Sequence, residues 1–477
     1  MSRILLVNPW IYDFAAFDLW QKPLGLLYIG AILQKAGHTV SLLDCLDRYH
    51  PDLFNFTGID HVSGERSFGV GKYIKTEVVK PSICAEVLRH YSRYGTPLSV
   101  VQKWLSIYEK PDIVLITSGM TYWYPGVQHI IQLIKEQYPG VPVILGGIYA
   151  TLCYEHAREF SGADYVVSGE CEQKILEIIQ NWIPLNNQSY CELKNLDDFF
   201  YPCLDFYPQL KSIPLLTSRG CPFHCTFCAS HLLNGKFRQR NPNAVVEEVH
   251  YWWTKKHVYD IAFFDDALLV NSHRHFLPLM EGIAHLKIPF RFHTPNGISP
   301  AFIDRNTAYW MKKGGFVTIR LSLETISPGF QEDIQKKVSA DTFTNAVDYL
   351  ETAGFLRNQI GAYILMGLPG QTINDVLDTI FFVTQHGVKI KLAQFSPIPG
   401  TKAWEKEMRL NNITENFDPL LTNDTLLPMR SKIFTWEIVR WIKNIVVILN
   451  KAADNGIQEV EKILASEGDR WRGCLNR

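Results

Sequence analysis

The sequence predicts an α/β protein of two successive domains followed by a helical tail. Three observations carry that reading. Short apolar runs alternate with helical stretches over the first 180 residues, a second series of strand and helix pairs runs from about residue 213, and three clustered cysteines mark its start. In the first series Ile4–Val7 is a buried-type strand, Pro23–Ala36 a helix ending at Gly37, and Val40–Leu43 a second strand. Ile113–Thr117 is a third strand, Pro125–Gln137 a helix, Val141–Leu145 a fourth strand closed by Gly146-Gly147, and Tyr165–Val167 a fifth closed by Ser168-Gly169-Glu170. Such alternation predicts a doubly wound, Rossmann-like parallel sheet over residues 1–185, whose ligands lie at the carboxyl ends of its strands. Residues 48–110 form a connection far longer than a usual crossover, with clustered aromatic and basic side chains in Phe68–Lys72 and Arg89–Gly95.

A polar stretch near Asn186–Ser189 and Asp197-Asp198 reads as a linker over 186–212. Beyond it the expected strands are Ile213–Thr217, Asp260–Phe264, Phe290–His293, Thr318–Leu323, Ile360–Met366 and Leu392–Phe395. The intervening helices are Pro242–Lys256, His273–His285, Thr307–Lys313, Ala340–Ala353 and Ile373–His386. This domain spans 213–404. Residues 405–477 read as a helical extension in which Trp436–Asn450 carries an apolar stripe of the kind that packs on a core.

At 477 residues, 47% hydrophobic and 20% charged, the composition suits large buried cores. A net charge of −1 gives nucleic-acid binding no electrostatic support. The N-terminal apolar run is too short for a signal peptide and no uncharged apolar segment approaches bilayer length, so a cytoplasmic location is expected.

The most specific feature is Thr217-Ser-Arg-Gly-Cys-Pro-Phe-His-Cys-Thr-Phe-Cys228, with Cys221, Cys225 and Cys228 in C-x3-C-x2-C spacing directly after an apolar strand. Three thiolates on one loop suit three irons of a [4Fe–4S] cube and leave the fourth iron open. Zinc sites more often use paired knuckles with a second pair or histidines downstream, and none follows at suitable spacing. The other cysteines, Cys45, Cys84, Cys153, Cys171, Cys191, Cys203 and Cys474, are scattered, and only Cys191 and Cys203 are weak candidates for further ligands.

This loop resembles the cluster motif of the radical S-adenosylmethionine (SAM) superfamily, and the first domain resembles the cobalamin-binding domain of its B12-dependent subfamily. The resemblance implies a partial (β/α)6 barrel, with cofactors [4Fe–4S], SAM and cobalamin. It also implies cluster ligation by Cys221, Cys225 and Cys228, and SAM contacts by Phe227, Asp265, Asp266, Ser322, Glu324 and Gly367. Ser322 and Glu324 lie on one face of a strand if the two-residue period holds, and match the family's S-x-E pattern. Asp265 and Asp266 could instead cap a helix, and Arg320 could instead pair with Glu324. In the first domain the resemblance implies cobalamin contacts by Ser118, Gly119, Thr121, Gly146, Gly147, Thr151, Gly169 and Glu170, although glycines at strand ends also serve plain turns. The sequence D-x-H-x-x-G, whose histidine ligates cobalt in other cobalamin domains, is absent.

The implied activity is reductive cleavage of SAM and methyl transfer through cobalamin to an unactivated carbon. The implied partners are a small-molecule, lipid-like or natural-product substrate and a reductant such as flavodoxin or ferredoxin. A radical cyclisation or rearrangement, and a non-catalytic iron–sulfur protein, are the alternatives.

Overall fold

A computed structural model describes residues 1–53, 66–184, 193–330, 333, 338–411 and 417–473. They divide into two compact units, one drawn mainly from residues 1–214 and the other mainly from 215–477, with the segment ending at Asn423 belonging to the first.

The first unit is built on a five-stranded parallel sheet of β1 (Arg3–Asn8), β2 (Thr39–Asp44), β3 (Ile113–Ile116), β4 (Val143–Leu145) and β5 (Tyr165–Val166), in the order β5-β4-β3-β1-β2. Ile4 to Val7 in β1 and all of β3 and β4 are fully or almost fully buried, as expected of central parallel strands. The crossover helices are α1 (Leu24–Lys35), α2 (Leu98–Ile107) and α3 (Tyr124–Gln137). Strand order reverses between β1 and β3, so the loops that follow these two strands open a crevice at the carboxyl edge of the sheet.

Residues 66–97 of the long connection fold back onto the chain's beginning. Ser92–Tyr94 pairs antiparallel with both Ile11–Asp13 and Lys75–Glu77, and Gly71–Lys72 pairs with Phe17–Asp18. A buried Arg48–Asp18 ion pair (2.8 Å) and hydroxyl bonds from Tyr91 to Tyr12 and from Tyr94 to Phe14 fix this layer. Residues 193–211, expected as linker, also pack on the first unit: Tyr207 is fully enclosed and donates its hydroxyl to Asp44 Oδ2 at 2.6 Å.

The second unit holds a six-stranded sheet of β6 (Ser212–Leu215), β7 (Asp260–Phe263), β8 (Arg291–His293), β9 (Phe316–Glu324), β10 (Ile360–Met366) and β11 (Lys389–Gln394). Its order is sequential, β6 to β11, with parallel pairing from β7 onward. Sequential order with a helix in each crossover is how an α/β barrel is built, in contrast to the reversing first sheet. The helices are α4 (Pro242–Lys256), α5 (Phe276–His285), α6 (Arg305–Gly314), α7 (Ala340–Thr352) and α8 (Ile373–Gln385). Side-chain caps set their starts: Asn241 for α4, Asp304 for α6, Ser339 for α7 and Thr372 for α8. His273 lies in a 3₁₀ turn before α5, not in the helix.

The tail supplies α9 (Trp436–Asp454) and α10 (Ile457–Gly473). Asn450 on α9 accepts from the Ile390 N–H at 2.7 Å and donates to the Ile390 carbonyl at 3.0 Å. A side-chain amide thus takes the place of a seventh strand on the open edge of β11.

Candidate active site

In the second unit the cysteine loop leaves the sheet through a two-residue clasp, Ser218–Arg219 paired antiparallel with Arg238–Gln239. Arg240 locks the clasp by donating to the Leu216 carbonyl and to buried Glu248, with which it forms a 2.5 Å ion pair. Within the loop the Cys228 N–H donates to the Cys225 carbonyl, and Thr226 is held by both the backbone and the carboxylate of Asp333. Phe227 packs against a small cluster of Phe330, Leu368, Phe395 and Ala403. Cys225 is buried, while Cys221 and Cys228 are partly exposed. Among the described residues no three His, Cys, Asp or Glu side chains gather tightly enough for a single metal ion. Three thiols within eight residues are a donor set fitted to a cube, which spreads its ligands over separate irons. Of the weaker candidates, Cys203 is buried in the first unit, and Cys191 lies outside the described residues.

The expected SAM residues occupy different settings. Asp265 is buried and accepts hydrogen bonds from the Thr217 N–H (3.1 Å), the Thr217 hydroxyl (2.7 Å) and the Ser218 hydroxyl (2.6 Å). Burial pushes its carboxyl up to about 6, against the pull of these donors. Its oxygens are engaged in fastening β7 to the root of the cysteine loop. Asp266, next in sequence, is exposed and accepts from the Ser230 hydroxyl at 2.5 Å.

Ser322 and Glu324 do not follow the simple two-residue alternation expected of them. The register of β9 on β10 shifts between the two residues, and Glu324 adopts a left-handed φ of 68°. A bulge at a strand end re-aims the following side chain, so strand periodicity cannot place Glu324. Arg320 is not an ion-pair partner of Glu324 among the described residues; its guanidinium donates to the Ile319 carbonyl. Gly367 has φ 96°, and a Cβ there would meet Leu427 at 2.6 Å, so the side chain of Leu427 covers this glycine. His293 is fully buried between Thr318 and Asp260, a structural position.

In the first unit the hydroxyls expected to meet cobalamin knit the strand-end loops together. Ser118 donates to the Gly146 carbonyl (2.8 Å) and accepts from the Tyr149 N–H (3.1 Å). Thr151 donates to the Gly147 carbonyl (2.8 Å) and accepts from the Gly169 N–H (2.9 Å). Gly147 has φ 92°, and a Cβ there would stand 2.6 Å from the backbone of Ser118, so glycine is required for this close approach. Gly119 lies against the Trp123 ring, and Thr121 is buried with its hydroxyl 2.6 Å from that of Thr422. By contrast a Cβ on Gly169 would meet open space, and one on Gly146 only the Val167 carbonyl at 4.0 Å; Glu170 beside them is exposed. Backbone openings at two successive strand ends suit a broad planar cofactor, so the loops fit cobalamin through main chain more than through side chains.

Sequence reasoning missed the segment that completes this edge. Asp418 accepts from the Tyr124 hydroxyl (3.0 Å), Thr422 meets Thr121, and Asn423 donates to Asp13 Oδ1 (2.9 Å). No local pattern in residues 417–423 announces partners some 300 to 400 positions away.

Residues 215–383 match the Radical SAM superfamily and residues 105–179 the B12 binding domain. An uncharacterized methyltransferase of Pyrococcus horikoshii is 28% identical over 358 residues, covering 69% of this chain and 76% of the relative. The cytidylyl-2-hydroxyethylphosphonate methyltransferase of Streptomyces wedmorensis is 22% identical over 84% of this chain and 80% of its own. Among solved structures, the radical SAM methyltransferase TsrM of Kitasatospora setae, with tryptophan substrate and a SAM analog bound, aligns with a TM-score of 0.62. That alignment covers 89% of this chain and 83% of TsrM at 15% identity, a likeness of fold. The two matched domains imply SAM and a [4Fe–4S] cluster for the second unit and cobalamin for the first. The chain thus carries a region that matches the Radical SAM superfamily, preceded by a region that matches the B12 binding domain.

Proposed function

We propose that this protein is a cobalamin-dependent radical SAM methyltransferase acting on a small molecule. The observation that carries the reading is the three-thiol loop rooted at the carboxyl end of β6, in a chain that also carries a B12 binding domain. When bound, the cluster supplies the electron that cleaves SAM, and cobalamin carries the methyl group.

The chain's own residues provide positions. Cys221, Cys225 and Cys228 would each hold one iron, and the clasp of Ser218–Arg219 on Arg238–Gln239 fixes where that loop leaves the sheet. Asp265 would act on SAM indirectly, by holding Thr217 and Ser218, whereas exposed Asp266 is the better placed of the pair to meet the SAM ammonium. Phe227, Ser322, Glu324 and Gly367 remain the expected SAM contacts. In the first unit Gly146 and Gly169 would admit the corrin against main chain, with Ser118 and Thr151 keeping the loops in register. A reductant such as flavodoxin or ferredoxin and a cytoplasmic setting complete the reading. No helix among the described residues is long and apolar enough to cross a membrane.

Anaerobic reconstitution with iron, sulfide and hydroxocobalamin tests the assignment. Replacing any one of the three cysteines with alanine should abolish 5′-deoxyadenosine formation from SAM while cobalamin stays bound. Full cleavage by the triple variant would refute the ligand set. Retention of no cobalamin by the wild type would redirect the reading to a radical cyclisation or rearrangement.

A further inference from the structure

Three adjacent strands of the second unit bring together two cations, Arg320 and Lys391, that form no ion pair among the described residues. In the β9–β10–β11 register Arg320 stands beside Gly361 and Gly361 beside Lys389, while Ser322 stands beside Tyr363 and Tyr363 beside Lys391. The alternate face of these strands, Ile319, Leu321, Ala362, Ile364 and Ile390, is almost wholly buried. Arg320 and Lys391 lean over Gly361 from either side: a Cβ on that glycine would meet Arg320 Cδ and a guanidinium nitrogen at 3.1 Å and Lys391 Cγ at 3.2 Å.

Two of the neighbouring carboxylates are already matched, and Glu324 lies near enough to act on Tyr363. Asp260 pairs with Arg291 and His293, and Lys389 pairs with Asp454. Among the described residues neither Arg320 nor Lys391 forms an ion pair, and the Tyr363 hydroxyl donates to the Pro295 carbonyl. The electrostatics agree with that inventory. Burial, Arg320 and Lys389 push the Lys391 ammonium down to about 8, and burial lowers Arg320, with only Tyr363 opposing it. Half-buried cations without a counter-charge are unfavourable unless a ligand supplies one.

We propose that Arg320 and Lys391, over the gap left by Gly361, form an oxyanion site that takes a dianionic phosphoryl group of the substrate. The planar fork of Arg320 can bind two oxygens and the ammonium of Lys391 a third, and two positive charges balance a dianion where a monocarboxylate would leave one unanswered. The site lies one strand step from Ser322, an expected SAM contact, toward the amino end of β9. Its assignment to substrate rests on the radical SAM reading of this unit.

Calorimetric titration of inorganic phosphate into the reconstituted protein tests the site directly. Millimolar binding is expected, weakened at least tenfold in Arg320→Gln and in Lys391→Gln and retained in Lys391→Arg; the lysine pair decides the matter if the arginine variant does not fold. Phosphate binding unaltered by both glutamine variants would overturn the proposal. So would an Arg320→Gln protein that binds phosphate normally but SAM weakly, because the guanidinium would then serve SAM. Acetate competing as well as phosphate would overturn the dianion assignment. Since the titration needs no turnover, wild-type protein that binds phosphate without cleaving SAM would refute only the proposed function, and cleavage without phosphate binding only this site.

Discussion

At the scale of single residues, we propose that Asp265 serves the SAM site by holding Thr217 and Ser218 at the root of the cysteine loop. Its carboxyl sits at about 6 because burial favours the neutral form, although three donors pull the other way. An acid that holds its proton more tightly folded than unfolded makes the folded state bind more protons between about 4 and 6. Stability from this group is therefore present at low pH and lost as pH rises through that window. A rise from 3.8 to about 6 corresponds to about 3 kcal/mol at full extent. Urea unfolding of cluster-free protein should show the stability of wild type relative to Asp265→Asn falling by about 2 kcal/mol between pH 4 and pH 7. A constant difference across that range would mean the carboxyl titrates normally. From the sequence, Asp265 and Asp266 were equal candidates. They differ in burial, and burial depends on how β7 packs against β6, which no local pattern encodes.

At the scale of elements, the end of β9 carries the largest departure from periodic expectation. Glu324 in a left-handed conformation costs a non-glycine residue roughly 1–2 kcal/mol, which the surrounding sheet must offset. Two substitutions separate backbone from charge. Glu324→Gly relieves the conformation and Glu324→Ala keeps it, so the glycine variant should unfold at a free energy about 1 kcal/mol higher than the alanine variant. Both lack the carboxylate and should bind SAM roughly 10–100-fold more weakly, the worth of a charge-assisted hydrogen bond. An alanine variant that is the more stable would show that the left-handed turn is absent in solution. Normal SAM affinity in both would remove Glu324 from the site. Most elements were legible because their signals are local. Ile360–Met366 is an apolar strand from end to end, and α4 and α8 begin where Asn241 and Thr372 supply caps. The bulge was not legible, because a two-residue period assumes an unbroken ladder and a register shift leaves no mark on composition.

At the scale of the whole molecule, chain order and unit membership part company. Residues 417–423 follow the second sheet in sequence yet pack in the first unit, where Asp418, Thr422 and Asn423 meet Tyr124, Thr121 and Asp13. Thr121 lies in the stretch between β3 and α3, which carries the expected cobalamin contacts Ser118, Gly119 and Thr121 and borders the crevice of the reversing sheet, and Tyr124 opens α3. Asp13 is a buried carboxylate that also accepts from the Phe14 N–H and the Trp123 indole. Removing one donor from a buried carboxylate leaves charge unsatisfied, so Asn423→Ala should destabilise the first unit by about 1.5–3 kcal/mol. The same variant should loosen Trp123 and the loop after β3, and thus lower cobalamin retention after gel filtration, while the cluster content of the second unit stays at the wild-type level. Asn423→Asp is the sharper test. It is nearly isosteric but sets a second carboxylate against Asp13, and repulsion at that distance should make it worse than alanine at neutral pH. Equal cobalamin retention in all three proteins would show that this returning segment only covers the first unit and does not shape its binding edge.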